Sequence, residues 1–92
     1  MNPRLDRART LLESALREVE GELANPACTL CRVQLGTCLE TLRGYLSAVE
    51  GGTLPPKRER PEGLCKLVLD AWPFDAPVSS AVLAAERAFR NA

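Results

Sequence analysis

Apolar positions recur along this chain at intervals of three and four, the spacing that lines up side chains on one face of an α-helix. Leu5, Ala8, Leu12, Ala15, Val19 and Leu23 form a first stripe, flanked by Leu11 and Leu16. Cys28, Cys31, Leu35, Cys38, Leu42, Tyr45 and Val49 form a second, an unbroken heptad-like seam. Two shorter stripes follow: Leu64, Leu67, Val68 and Ala71, with Cys65 beside them, and then Val78, Ala81, Val82, Ala85 and Phe89. No run alternates with period two long enough to suggest a strand, and no segment repeats another.

Each stripe begins beside a proline: Asn2-Pro3, Asn25-Pro26, Arg60-Pro61-Glu62 and Asp75-Ala76-Pro77. Proline suits a first helical turn because the N–H it lacks has no intrahelical acceptor there. Asn2, Asn25 and Asp75 can cap the free amides that follow. These signals predict helices over residues 3–23, 26–50, 61–72 and 77–90. Gly51-Gly52 ends the second, and residues 51–60 form a linker of turn formers, paired prolines and charge. The tight 24–26 connection makes the first two helices an antiparallel hairpin. The expected fold is all-α: a four-helix up-and-down bundle built on that long hairpin, with two shorter C-terminal helices.

A chain of 92 residues holds one modest core, so residues 1–92 are read as a single helical domain. An apolar fraction of 46% beside 26% charged residues is that of a folded globular chain. Lys plus Arg and Asp plus Glu number 12 each, so bulk charge selects no class of partner and only its placement can. No apolar run approaches the ~18–20 residues of a membrane span. Residues Met1 to Arg7 contain no apolar signal region, and the expected location is cytoplasmic, with thiols reduced.

The sequence contains no histidine, which removes His-based acid–base work and the Ser–His and Cys–His nucleophile arrangements. It contains neither GxxxxGK[ST] nor GxGxxG. Asp70 and Asp75, near Trp72, read as a solvated side chain and a cap. The chain is read as non-catalytic, with no cofactor and no small-molecule substrate.

The cysteines admit a sharper reading. Cys28-x-x-Cys31 at a helix start resembles half a zinc site or a redox pair, and Cys65 is the remaining thiol that could join them. On a continuous helix Cys38 lies about 10 Å along the axis from Cys31, at about 1.5 Å per residue. Tetrahedral zinc needs its sulfurs within about 4 Å of one another, so Cys38 cannot take part. A redox CxxC follows a strand, and none is predicted. The favoured reading makes the cysteines small apolar residues of the seam, in line with Leu35, Leu42 and Val49.

In an up-and-down bundle one pole gathers Arg4, Arg7, Arg9, Lys57, Arg58, Arg60, Arg87 and Arg90 against Asp6, Glu50, Glu59, Glu62 and Glu86. Arg4, Arg7, Lys57, Arg58 and Arg60 are the candidates to contact an anionic partner. Arginine at the start of the first helix and Glu18, Glu20 and Glu22 at its end oppose the helix dipole. The first two helices span roughly 31 and 37 Å, the last two roughly 18 and 21 Å. Short helices are expected to leave part of the seam near Leu12, Val19, Cys28, Cys31 and Leu35 open as an interface. Trp72 and Phe74, in an apolar corner with Pro73, are further anchor candidates, with a ring that caps the bundle end as the favoured reading. The expected function is a small protein-interaction module that binds another protein, a second copy, or both through the hairpin face. The alternatives are a cysteine-based metal or redox module and a nucleic-acid accessory using the Arg-rich pole. The scarcity of aromatics makes nucleic acid the weakest of these partners.

Overall fold

Helices form on all four apolar stripes in the computed structural model. It describes residues 3–28, 30–56, 63–72 and 76–92, without the side chains of Cys65, Leu69, Asp70 and Ala71. They are α1 (Pro3–Ala24), α2 (Arg32–Gly51), α3 (Gly63–Ala71) and α4 (Pro77–Asn91). No strand occurs among the described residues, and none of these helices is long and apolar enough to cross a membrane.

The proline signal locates the starts of α1 and α4. Asp75 and Asn2 fall outside the described residues, and α4 is capped from Ala76, whose side chain makes no capping bond. The Ala76 carbonyl instead accepts the Ser79 and Ser80 amides, at 3.0 and 3.4 Å. α2 ends as expected at Gly52, whose φ of 67° lies in the left-handed region. That turn lets the Gly52 and Thr53 amides both reach the Ala48 carbonyl.

The start of α2 corrects the sequence expectation. Helix was expected from residue 26, and it begins at Arg32. Asn25 explains the difference. Its side chain accepts the Ala27 amide at 3.0 Å, and its carbonyl accepts the Cys28 amide at 3.1 Å. These two bonds close a turn locally, and such side-chain bonding competes with helix propagation. Helical bonding resumes with the Leu35 amide on the Cys31 carbonyl, at 3.0 Å. Arg32 then reaches back, donating from Nη1 to the Leu23 carbonyl (2.6 Å) and from Nη2 to the Asn25 carbonyl (3.2 Å). A cation on the last carbonyls of a helix offsets its dipole, so α2 supplies what the acidic end of α1 lacks.

α1 packs along both α2 and α4, and α3 packs on α4. The core is one continuous cluster to which every helix contributes. Tyr45 stacks on Phe89 with ring centroids 4.3 Å apart and planes 11° from parallel. A polar tie runs through this core. Glu86 is fully buried, and its Oε2 accepts the Tyr45 hydroxyl at 2.7 Å and the Leu64 amide at 3.1 Å. The Leu64 amide belongs to the first turn of α3, where backbone N–H groups lack intrahelical acceptors. One carboxylate on α4 thus caps α3 and holds α2.

Candidate interaction groove

The stripe expected to stand open is closed over its leucines and valine, while at its Cys28–Cys31 end Cys28 is half-buried and Cys31 exposed. Leu12, Val19 and Leu35 have no solvent exposure, and they share their cluster with Val78, Val82, Ala85 and Phe89 of α4. Trp72 is 4% exposed, and its Nε1–H donates to Gln34 Oε1 at 3.3 Å. The length argument overestimated the surface to be covered. α2 starts later than expected, Cys28 and Leu30 of the turn before it fold partly onto the core, and Trp72 extends the cover beyond the end of α3. Leu12, Val19, Leu35 and Trp72 therefore lie within the chain's own core. Phe74 lies outside the described residues.

The cysteines separate. Cys38 sits in the core, as the seam predicts, and burial together with the nearby Glu86 charge pushes its thiol up from 9.0 to about 12. Cys28 and Cys31 precede the helix, so the seam reading does not hold for them: Cys28 is half-buried and Cys31 is exposed. A hydrogen bond to the Glu22 carboxylate raises the Cys28 pKa, with smaller contributions from burial and from the Glu22 charge. A reactive CxxC thiol is shifted the opposite way. No group of three His, Cys, Asp or Glu side chains converges on one point among the described residues. The Cys65 side chain lies outside them.

The arginine pole does take shape, between α1 and α4. Arg4, Arg7 and Leu11 of α1 face Ala84, Arg87, Ala88 and Asn91 of α4 across an open groove of about 630 Å³. Ala84 and Ala88 are too small to fill the space between the helices, so the groove has a shallow apolar floor with Leu11. Three guanidinium groups rim it, and among the described residues no acidic side chain lines it. Asp6 belongs to a second, smaller depression on the other flank of α1, with Leu5, Arg9, Val49 and Glu50. Arg9 pairs there with Glu13 at 3.7 Å, with both side chains about half exposed, a pairing worth at most about 1 kcal/mol. Arg4 and Arg7 thus come together with Arg87 as the pole argument expects. Lys57, Arg58 and Arg60 lie outside the described residues.

An array of guanidinium forks suits carboxylates, which they bind bidentately. Among the described residues the groove holds no aromatic ring on which a base could stack. Two structural roles escaped the sequence reading. Glu86 was grouped with the surface charges, although its position between Val82 and Phe89 sets it on the apolar stripe of α4. Arg32 opposes the dipole of its own helix, a mismatch that pointed to an acceptor elsewhere. Comparison with protein-family models, curated proteins and solved structures finds no match for this chain.

Proposed function

We propose that this chain is a non-catalytic helical protein-interaction module whose contact surface is the α1–α4 groove. The observation that carries this reading is the grouping of Arg4, Arg7 and Arg87 around an apolar floor that no acidic side chain lines among the described residues. Arg7 and Arg87 on one groove repel each other, and an anionic ligand relieves that repulsion. The ligand class that fits is an acidic protein segment presenting carboxylates to the arginines and one small side chain to Leu11, Ala84 and Ala88. The contact surface moves off the hairpin seam expected from sequence, because the seam is core.

An up-and-down order of the four helices accompanies the reading. It is supported by Arg32 of α2 meeting the end of α1, by Trp72 meeting Gln34, and by Leu64 and Tyr45 meeting at Glu86. With that order the start of α1 and the end of α4 lie side by side, as the groove requires.

Titration with a labelled helical peptide of Glu, Ala and Leu, its glutamates spaced four apart, tests the function. Binding is expected to weaken steeply with salt and to fall roughly tenfold or more in an Arg87→Glu variant. Undiminished affinity in that variant would overturn the groove as the contact surface.

A further inference from the structure

The flank of α1 that lines the groove continues past it. Arg4, Arg7, Leu11, Ser14 and Glu18 follow one another at intervals of three and four, so they share one side of the helix beside the core stripe, with Glu22 one turn further on. Leu11 and Ser14 are half-buried and Arg7 and Glu18 exposed, as expected of a stripe at the margin of the core. Charge changes sign along it, basic before Leu11 and acidic after Ser14. The arrangement is complementary to itself. Arg7 and Glu18 stand equally far on either side of the point midway between Leu11 and Ser14, each about 8 Å away at about 1.5 Å per residue. Arg4 and Glu22 are nearly matched in the same way, at about 13 and 14 Å.

We infer that the occupant of the groove is α1 of a second copy, lying antiparallel to α1 across a two-fold axis that passes between Leu11 and Ser14. In that register Arg7 of each copy meets Glu18 of the other, with Arg87 as a second cation beside the same carboxylate. Arg4 approaches Glu22 of the partner subunit, a carboxylate that already accepts the Cys28 thiol. Leu11 meets Ser14 over the small Ala84 and Ala88. This inference rests on the groove being the contact surface.

The helix dipole supplies an independent argument. Arg4 and Arg7 near the start of α1, and Glu18 and Glu22 near its end, are misplaced for their own helix. Against an antiparallel neighbour they are correctly placed. The arginines face the negative end of the partner helix, and the glutamates its positive end. A two-fold contact of this kind uses the same patch twice and closes at the dimer, without growing into a filament.

Sedimentation equilibrium of the full chain at low and high salt, with charge-reversal variants, tests the register. The unaltered chain is expected to dimerise and to dissociate as salt rises. Arg7→Glu alone and Glu18→Arg alone each place like charges together twice, and each is expected to raise the dimer dissociation constant roughly tenfold or more. The Arg7→Glu/Glu18→Arg double variant re-forms both pairs with reversed sign and is expected to recover part of the affinity, short of the parent because Arg87 then faces a like charge. An equimolar mixture of the two single variants, with one such clash in place of two, is expected to associate more tightly than either variant alone. Circular dichroism on each variant confirms that the helices remain. A dimer that persists unchanged in both single variants, or a double variant weaker than either, would overturn the register. A chain that stays monomeric while still binding the acidic peptide through Arg87 would overturn the second copy as occupant and leave the groove reading standing.

Discussion

A fully buried carboxylate must be met by donors, because an unpaired buried charge costs several kcal/mol. Glu86 is met by the Tyr45 hydroxyl and the Leu64 amide, and so joins α2, α3 and α4 at one atom. Tyr45→Phe removes the hydroxyl while keeping the ring on Phe89. The loss of one bond to a charged group is expected to cost about 1.5–3 kcal/mol, read as a lower urea midpoint with an unchanged slope. Periodicity put Tyr45, Phe89 and Cys38 in the core correctly. It sets Glu86 on the same stripe of α4 as Phe89, but it could not show which donors meet the carboxylate, because they lie 41 and 22 residues away in the chain. Cys38 makes a second test at this scale. Its thiol titrates near 9.0 when the chain is unfolded and near 12 when folded. The folded state therefore holds the proton that the unfolded state releases. This contribution is fully present below pH 9.0 and is lost as pH rises toward about 12, at up to about 1.4 kcal/mol per pH unit. Urea midpoints are expected to fall more steeply above pH 9.0 in the parent than in Cys38→Ala, and parallel profiles would contradict the buried thiol. In the native state iodoacetamide is expected to label Cys31 well before Cys38, following their exposure.

Single elements show what local signals carry and where they stop. α1 and α4 begin at the prolines that predicted them, because proline at a first turn has few alternatives. α2 does not begin near Pro26, because Asn25 spends its acceptors on Ala27 and Cys28 and so closes a turn of its own. Both outcomes are compatible with Asn-Pro, and Arg32 stabilises the observed one from outside the segment. Arg32→Ala is expected to cost about 0.5–1.5 kcal/mol and to speed amide exchange in the last turn of α1, with the middle of that helix unchanged. Two glycines of α2 are expected to respond in opposite directions. Gly44 is an exposed helical position where an added Cβ meets nothing within 4 Å. Gly44→Ala is expected to stabilise the chain by about 0.5–1 kcal/mol through helix propensity. Gly52 also has open space, but its φ of 67° strains any side chain, and Gly52→Ala is expected to cost about 1 kcal/mol. Thermal melts of the two variants, shifted in opposite directions, would separate conformational strain from crowding.

For the molecule as a whole, the question is which apolar surface is core and which is contact. Treating the helices as cylinders of unequal length left the seam near Leu12, Val19 and Leu35 uncovered, since that view omits the connections. The connections matter here: the turn before α2 shortens the surface, and Trp72 extends the cover. The charge pattern was more informative, because the grouping of basic residues at one pole depends only on helix order. It brought Arg4 and Arg7 to the groove that Arg87 completes. The two surfaces are expected to respond differently to substitution. Leu35→Ala removes packing atoms from a site with no solvent exposure, and is expected to cost about 2–5 kcal/mol of stability. Its association, measured where the variant is still folded, should match the parent's. Arg87→Glu changes an exposed position, so its stability should stay within about 0.5 kcal/mol of the parent while groove binding falls. Denaturation and peptide titration on the same two variants give a crossed pattern if the seam is core and the groove is contact. A Leu35→Ala variant with an unchanged midpoint and altered association would return the seam to the surface, because truncating a fully enclosed leucine cannot leave stability untouched.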